Sequence, residues 1–104
     1  MMDDLTTTYE ITATVRPEVR VDYEQYMIER HIPDLIDTGS FEGATFSRSS
    51  DGRYRIRYEA RSREALDQYL SEHAHRLRQH FADTFPDGVE VSREEWTNIR
   101  NWSL

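Results

Sequence analysis

The sequence predicts an α+β domain of the ferredoxin-like kind: a βαββαβ sandwich whose antiparallel four-stranded sheet carries two main helices on one face. Three observations predict it. Apolar and polar residues alternate along Thr8–Val15, Arg53–Ala60 and Val89–Trp96, the period of a half-buried strand. Asp51-Gly52 sits between two such runs as a hairpin signal. Stretches of helical spacing, Pro17–His31 and Arg63–Phe85, follow the first and third strands.

In the first strand Tyr9, Ile11, Ala13 and Val15 point one way and Thr8, Glu10, Thr12 and Thr14 the other. Pro17 ends it and starts a helix. Pro33 disfavours helical geometry at Ile32, so that helix is expected to stop by His31. Pro33 then suits the first position of a short helix through Thr38, with Gly39 as its left-handed cap. Ser40–Arg48 and Arg53–Ala60 form the hairpin. Tyr54, Ile56, Tyr58 and Ala60 share one face; Arg53, Arg55, Arg57 and Glu59 share the other. Ser62 is a plausible N-cap for one long helix that Pro86 and Gly88 stop. Val89 and Val91 complete the helix-covered face. The open face is expected to carry Thr8, Glu10, Thr12, Phe46, Arg53, Arg55, Arg57, Glu90, Ser92 and Trp96. Residues 1–7 are expected to be a flexible terminus and 8–97 the domain. In the tail 98–104, Ile99, Trp102 and Leu104 are too apolar to lie loose, so packing on the domain or on a partner subunit is expected.

The 104 residues suit one domain, and a chain this short gains stability from a second copy. Charged residues make up 32% and the net charge is −7, with every basic residue an arginine. That balance disfavours nucleic acid, which needs a net cationic face. The RNA-recognition module shares the βαββαβ order but presents aromatics on its open sheet. Here arginines stand at those positions, with Glu10 and Glu42 available to pair with them. There is no cysteine, hence no disulfide or thiolate metal site. No apolar run is long enough to span a bilayer, and no signal peptide is apparent, so a cytoplasmic location is expected.

The histidines of "HAHRLRQH" do not read as a metal site. His73 and His80 share a stripe with Leu66, Tyr69, Leu70, Leu77 and Phe81, yet stand seven apart, two turns rather than one. No glycine-rich phosphate loop appears, and no cofactor is expected. His31 has two readings. One is a structural cap at a helix C-terminus, where the macrodipole favours its cation. The other is a ligand- or proton-handling group, as the side chain most able to titrate near neutral pH. Arg93 shares parity with Val89 and Val91 and should enter the layer between sheet and helices, as should Arg30 from the stripe of Val19, Tyr23 and Tyr26. A buried arginine needs an anion, either a local carboxylate such as Glu59 or Asp34, or a ligand.

Several marks together resemble an uncharacterised family of roughly hundred-residue proteins with the dimeric α/β-barrel form of this fold. They are "HIP" at His31–Pro33, "TGSF" at Thr38–Phe41 with Ala44 after it, "YL..HA..LR" from Tyr69 to Arg78, Phe85 and Asp87, and Arg93. Members often carry cysteine where Ser40 stands and tryptophan where Tyr26 stands. The resemblance implies fold and homodimerisation rather than activity. More distantly the architecture is similar to cofactor-free monooxygenases, muconolactone-type isomerases and haem-binding chlorite-dismutase-like proteins, which place a small-molecule site between sheet and helices.

Two functions follow as expectations. One is a homodimer, joined through the open sheet face, that binds a small aromatic or anionic metabolite in the helix–sheet layer, with Arg93, Tyr58 and Tyr26 as ligand contacts. The other is a cofactor-independent monooxygenase or isomerase in the same cleft, with His31 or His73 as general base and Arg93 stabilising negative charge. A structural or protein-interaction role comes third.

Overall fold

Alternation along the strands decides which sheet face meets the helices. In the computed structural model, which describes residues 5–103, Tyr54, Ile56 and Tyr58 are at most 2% exposed, whereas Arg53, Arg55 and Arg57 between them are exposed. The elements are β1 (Thr6–Val15), a 3-10 turn (Pro17–Val19), α1 (Arg20–Tyr26), a π turn (Met27–His31) and α2 (Ile32–Asp37). Then come β2 (Phe41–Arg48), β3 (Arg53–Ala60), α3 (Arg63–Glu72), α4 (Ala74–Thr84) and β4 (Val89–Asn98). The strands lie in the order β2-β3-β1-β4, all antiparallel. This is the predicted ferredoxin-like sheet.

Aromatic rings fill the layer under the helices. Tyr9, Phe41, Tyr58 and Tyr69 meet at centroid separations of 5.1–6.3 Å. Tyr23 joins Tyr54, Phe46, Phe81 and Phe85 in a second group. Ile56 and Leu66 are fully buried between them, each contributing about 2 kcal/mol through lost apolar surface.

Five local features depart from the sequence reading. β1 begins at Thr6, so Thr6 and Thr7 pair with Asn98 and Thr97 rather than fraying. Residues 1–4 and Leu104, also part of those expectations, lie outside the described residues.

Phe46 faces the helices, not the open side. A bulge between Phe41 and Gly43 adds one residue to β2, which reverses the parity after it. Phe46 then sits opposite Ile56 and stacks on Tyr54 at 5.6 Å.

The first helix does not end at His31. Ile32 stays in the right-handed helical region (φ −65°, ψ −46°), and its N–H donates to Met27 O, five residues back. A π turn has opened the ladder just where Pro33, lacking an N–H, has no bond to give.

The long helix is two. Ser62 caps α3 as predicted, accepting from Ala65 N at 3.0 Å, but His73 leaves helical geometry (φ −123°, ψ −32°). Beyond the break, Ala74 and Leu77 of α4 are buried in the core, as are Leu66 and Tyr69 of α3.

Finally, the described part of the tail does not wrap onto its own helices: Ile99 and Trp102 are 81% and 82% exposed. Asn98, bonded to the Thr6 and Thr8 hydroxyls at 3.0 and 2.8 Å, extends β4 and carries the chain beyond the sheet.

Candidate functional site

His31 reaches the helix–sheet layer because the π turn sets its register. Its ring stacks on Tyr26 at 5.9 Å and meets Phe81 at 5.4 Å. Burial among these rings pushes the imidazole down from 6.5 to about 4; the nearby Asp34 opposes the shift, while Arg93 and His80 reinforce it. At neutral pH His31 is therefore uncharged.

Beneath His31 lies a cavity of about 30 Å³, room for about two water molecules. Every layer of the fold contributes to it. Tyr9 and Ile11 come from β1, Ile56 and Tyr58 from β3, Leu35 from α2, Tyr69 from α3, Arg78 from α4 and Arg93 from β4. Tyr58 is 1% exposed, and burial drives its phenol well above the ordinary value. The same cause raises Tyr69. Both hydroxyls stay neutral, so they serve as hydrogen-bonding groups.

The two arginines are the charged part of this wall. Arg78 donates through Nη2 to the Tyr9 hydroxyl at 2.7 Å. Its Nε is buried with no acceptor, a state that costs about 1–3 kcal/mol. Neither Arg78 nor Arg93 makes an ion pair among the described residues.

Of the carboxylates expected for Arg93 and Arg30, one serves Arg30 and neither pairs with Arg93. Asp34 pairs with Arg30 at 3.4 Å, and Glu59 accepts from the Thr8 hydroxyl at 3.1 Å. Arg93 faces the helix layer, opposite Ile11, but it is exposed rather than buried because β4 is an edge strand that the helices only partly cover. Arg30 is likewise exposed, with 59% of its side chain open to solvent. On the open face, Arg57 pairs with Glu10 at 3.4 Å as anticipated. Glu42, displaced by the bulge, forms no ion pair among the described residues.

Of the residues singled out from sequence, His31, Tyr58 and Arg93 line this one cavity. Tyr26 touches His31 but lines a separate surface cleft of about 560 Å³ with Arg30 and Phe85. Its hydroxyl meets His80 Nδ1 at 2.5 Å. His73 does not line the cavity: its ring stacks on Tyr69 at 6.4 Å, and Nδ1 meets Arg76 Nη2 at 3.1 Å. Arg78 was missed. Its signal was present, since Ala74, Leu77, Arg78 and Phe81 fall at i, i+3, i+4 and i+7, but the stripe becomes visible only when the helix is counted from the break at His73.

The architecture is that of a ferredoxin-like α+β domain with a two-arginine cavity beneath its helices. The chain belongs to the family described as "Domain of unknown function (DUF4286)", which it matches over residues 6–99. No curated protein matches it. Among solved structures it is similar to Rv0793 from Mycobacterium tuberculosis, with 19% identity and a TM-score of 0.62 over 93% of this chain and 99% of that one. It is similar to a dimeric ferredoxin-like protein from an uncultured marine organism, with 9% identity and a TM-score of 0.64 over 94% and 98% of the two chains. A third is the protein SO0527 from Shewanella oneidensis, with 12% identity and a TM-score of 0.58 over 88% and 92%. At these identities the likeness is one of fold. Among the described residues no helix is long and apolar enough to cross a membrane.

Proposed function

We propose that this domain is a homodimer that binds a small organic ligand between helices and sheet. The observation that carries the reading is convergence: His31, Tyr58, Arg78 and Arg93 line one cavity, and the buried Nε of Arg78 has no protein acceptor. Buried donors are nearly always paired, so an unpaired one on a cavity-lining guanidinium supports a partner from outside the chain. The π turn that delivers His31 adds support, since such turns recur at functional sites. The neutral imidazole favours binding over proton abstraction: a base held near 4 is poorly matched to work at neutral pH. That weighs against the oxygenase and isomerase alternative.

Association through the open sheet face rests on three supports. One structural neighbour is described as dimeric. Trp96 is 47% exposed on that face, and the apolar tail beyond it has no cover in one chain. Glu94 lies directly opposite Glu10, and Glu10 is shared with Arg57 of its own chain, so Glu94 is the carboxylate of that pair that an arginine of a second copy would meet.

The experiment is a ligand screen on the intact protein, read by thermal shift and by the ¹H–¹⁵N resonances of His31, with light scattering on wild type and Trp96→Glu. Ligands that raise the melting temperature and move His31, on a dimer that Trp96→Glu dissociates, support the reading. A monomer at micromolar concentration, or a His31 resonance indifferent to every stabilising compound, would overturn it.

A further inference from the structure

The chemistry of the cavity narrows the class of ligand, and this step rests on the ligand-binding reading above. We infer that the space between Arg78 and Arg93 is the head-group subsite for a carboxylate whose organic remainder extends past the exposed Arg93.

Charge comes first. In a chain of net charge −7, two guanidinium groups line a cavity that no carboxylate of the described residues enters. Arg78 Nε is buried and unpartnered, while Nη2 on the same guanidinium is already committed to Tyr9. A fixed, desolvated N–H favours an anionic acceptor, because a charge-assisted hydrogen bond is roughly twice as strong as a neutral one. Arginine's planar fork matches carboxylate oxygens, and the neutral Tyr58 is among the residues that line the same cavity.

Size comes second. The cavity, about 30 Å³, is small, with room for about two water-sized groups, which suits a compact head group. Ile11, Ile56 and Leu35 supply apolar wall around this head-group space.

Shape comes third. Arg78 is anchored inside by Tyr9, whereas Arg93 stands on the edge strand with its side chain accessible. The inner arginine is pre-set and the outer one free to swing onto the ligand, so entry is from the β4 side.

The test uses the full chain with two matched series: acetate, propionate and phenylacetate against acetamide, propionamide and phenylacetamide. Inorganic phosphate is the third arm. Binding is followed by His31 resonances and by calorimetry. Each acid is expected to bind at least about tenfold more tightly than its amide, to compete with the other acids, and to outbind phosphate. Arg93→Gln, at an exposed position that leaves the core untouched, is expected to weaken the acids about tenfold and the amides little; Arg78→Gln, if folded, is expected to do the same. Amides that bind as well as acids would overturn the carboxylate assignment while leaving a ligand cleft in place. Phosphate binding as tightly as the acids would overturn it in favour of oxyanions in general. If no member of either series binds, both this assignment and the ligand-binding reading fall.

Discussion

Arg78 Nη2 donates to the hydroxyl of Tyr9 at 2.7 Å, tying α4 to β1 across the aromatic core. Removing that acceptor would leave a second nitrogen of the same guanidinium without a partner. Tyr9→Phe is therefore expected to lower unfolding stability by about 1–3 kcal/mol, measured by urea denaturation. Adding Arg78→Met should return part of the loss, because both halves of the bond are then apolar. A Tyr9→Phe protein as stable as wild type would show that the bond contributes nothing.

His31 makes stability depend on pH. Its folded value is about 4 against an ordinary 6.5, so between these limits the unfolded chain binds the proton more readily. Stability is expected to be unaffected by this group above about pH 6.5 and to fall as pH drops towards 4, by at most about 3 kcal/mol. Asp34, Arg93 and His80 all act on the imidazole, so the comparison must be with His31→Gln, whose stability should fall less over that interval. Parallel pH profiles for the two proteins would refute it.

Glu24 joins α1 to the hairpin by accepting from the Tyr54 hydroxyl at 2.6 Å and from Arg48 Nη1 at 2.7 Å. These bonds, Tyr54 first, hold its carboxyl below the ordinary range. Glu24→Gln and Tyr54→Phe are each expected to lose about 1 kcal/mol, and the double variant less than the sum, since they share one interaction. Strict additivity in denaturant melts would refute the coupling.

Two glycines separate backbone strain from crowding. Gly39 and Gly52 have φ of +83° and +82°, but a Cβ at Gly39 meets nothing within 4 Å, whereas one at Gly52 runs into the Arg20 guanidinium. Arg20 Nε is held by Val15 O at 2.9 Å. Gly39→Ala should lose about 1–2 kcal/mol, the left-handed penalty alone. Gly52→Ala should lose more, through displacement of Arg20. Equal losses in thermal melts would contradict this.

What could be read from sequence follows from what is periodic. Strand alternation placed Tyr54, Ile56 and Tyr58 under the helices and sent Arg93 toward the same layer, because each pattern is local and repeats every two residues. Phe46 was misplaced because a bulge inserts one residue without any compositional mark. The break at His73 carries no glycine or proline, and without it Arg78 falls off the buried stripe. Pro33 announced an irregularity at the right place, but the preference of the residue before it did not reveal that the ladder would widen rather than stop. Whether Arg93 has a carboxylate partner depends on where Asp34 and Glu59 end up, a tertiary outcome that spacing along one chain does not encode.

The widened turn at Met27–His31 amounts to a helix holding one residue in surplus. Ile28, 61% exposed, is spare by packing alone, so excising it looks harmless on the surface. Yet each residue of helix advances the screw by roughly 100°, and closing the ladder would swing the imidazole at position 31 away from Phe81 and return Pro33 to a rung that demands a donor. Homologous chains that differ in length at this spot should therefore differ in which side chain guards the cavity, even where every strand aligns.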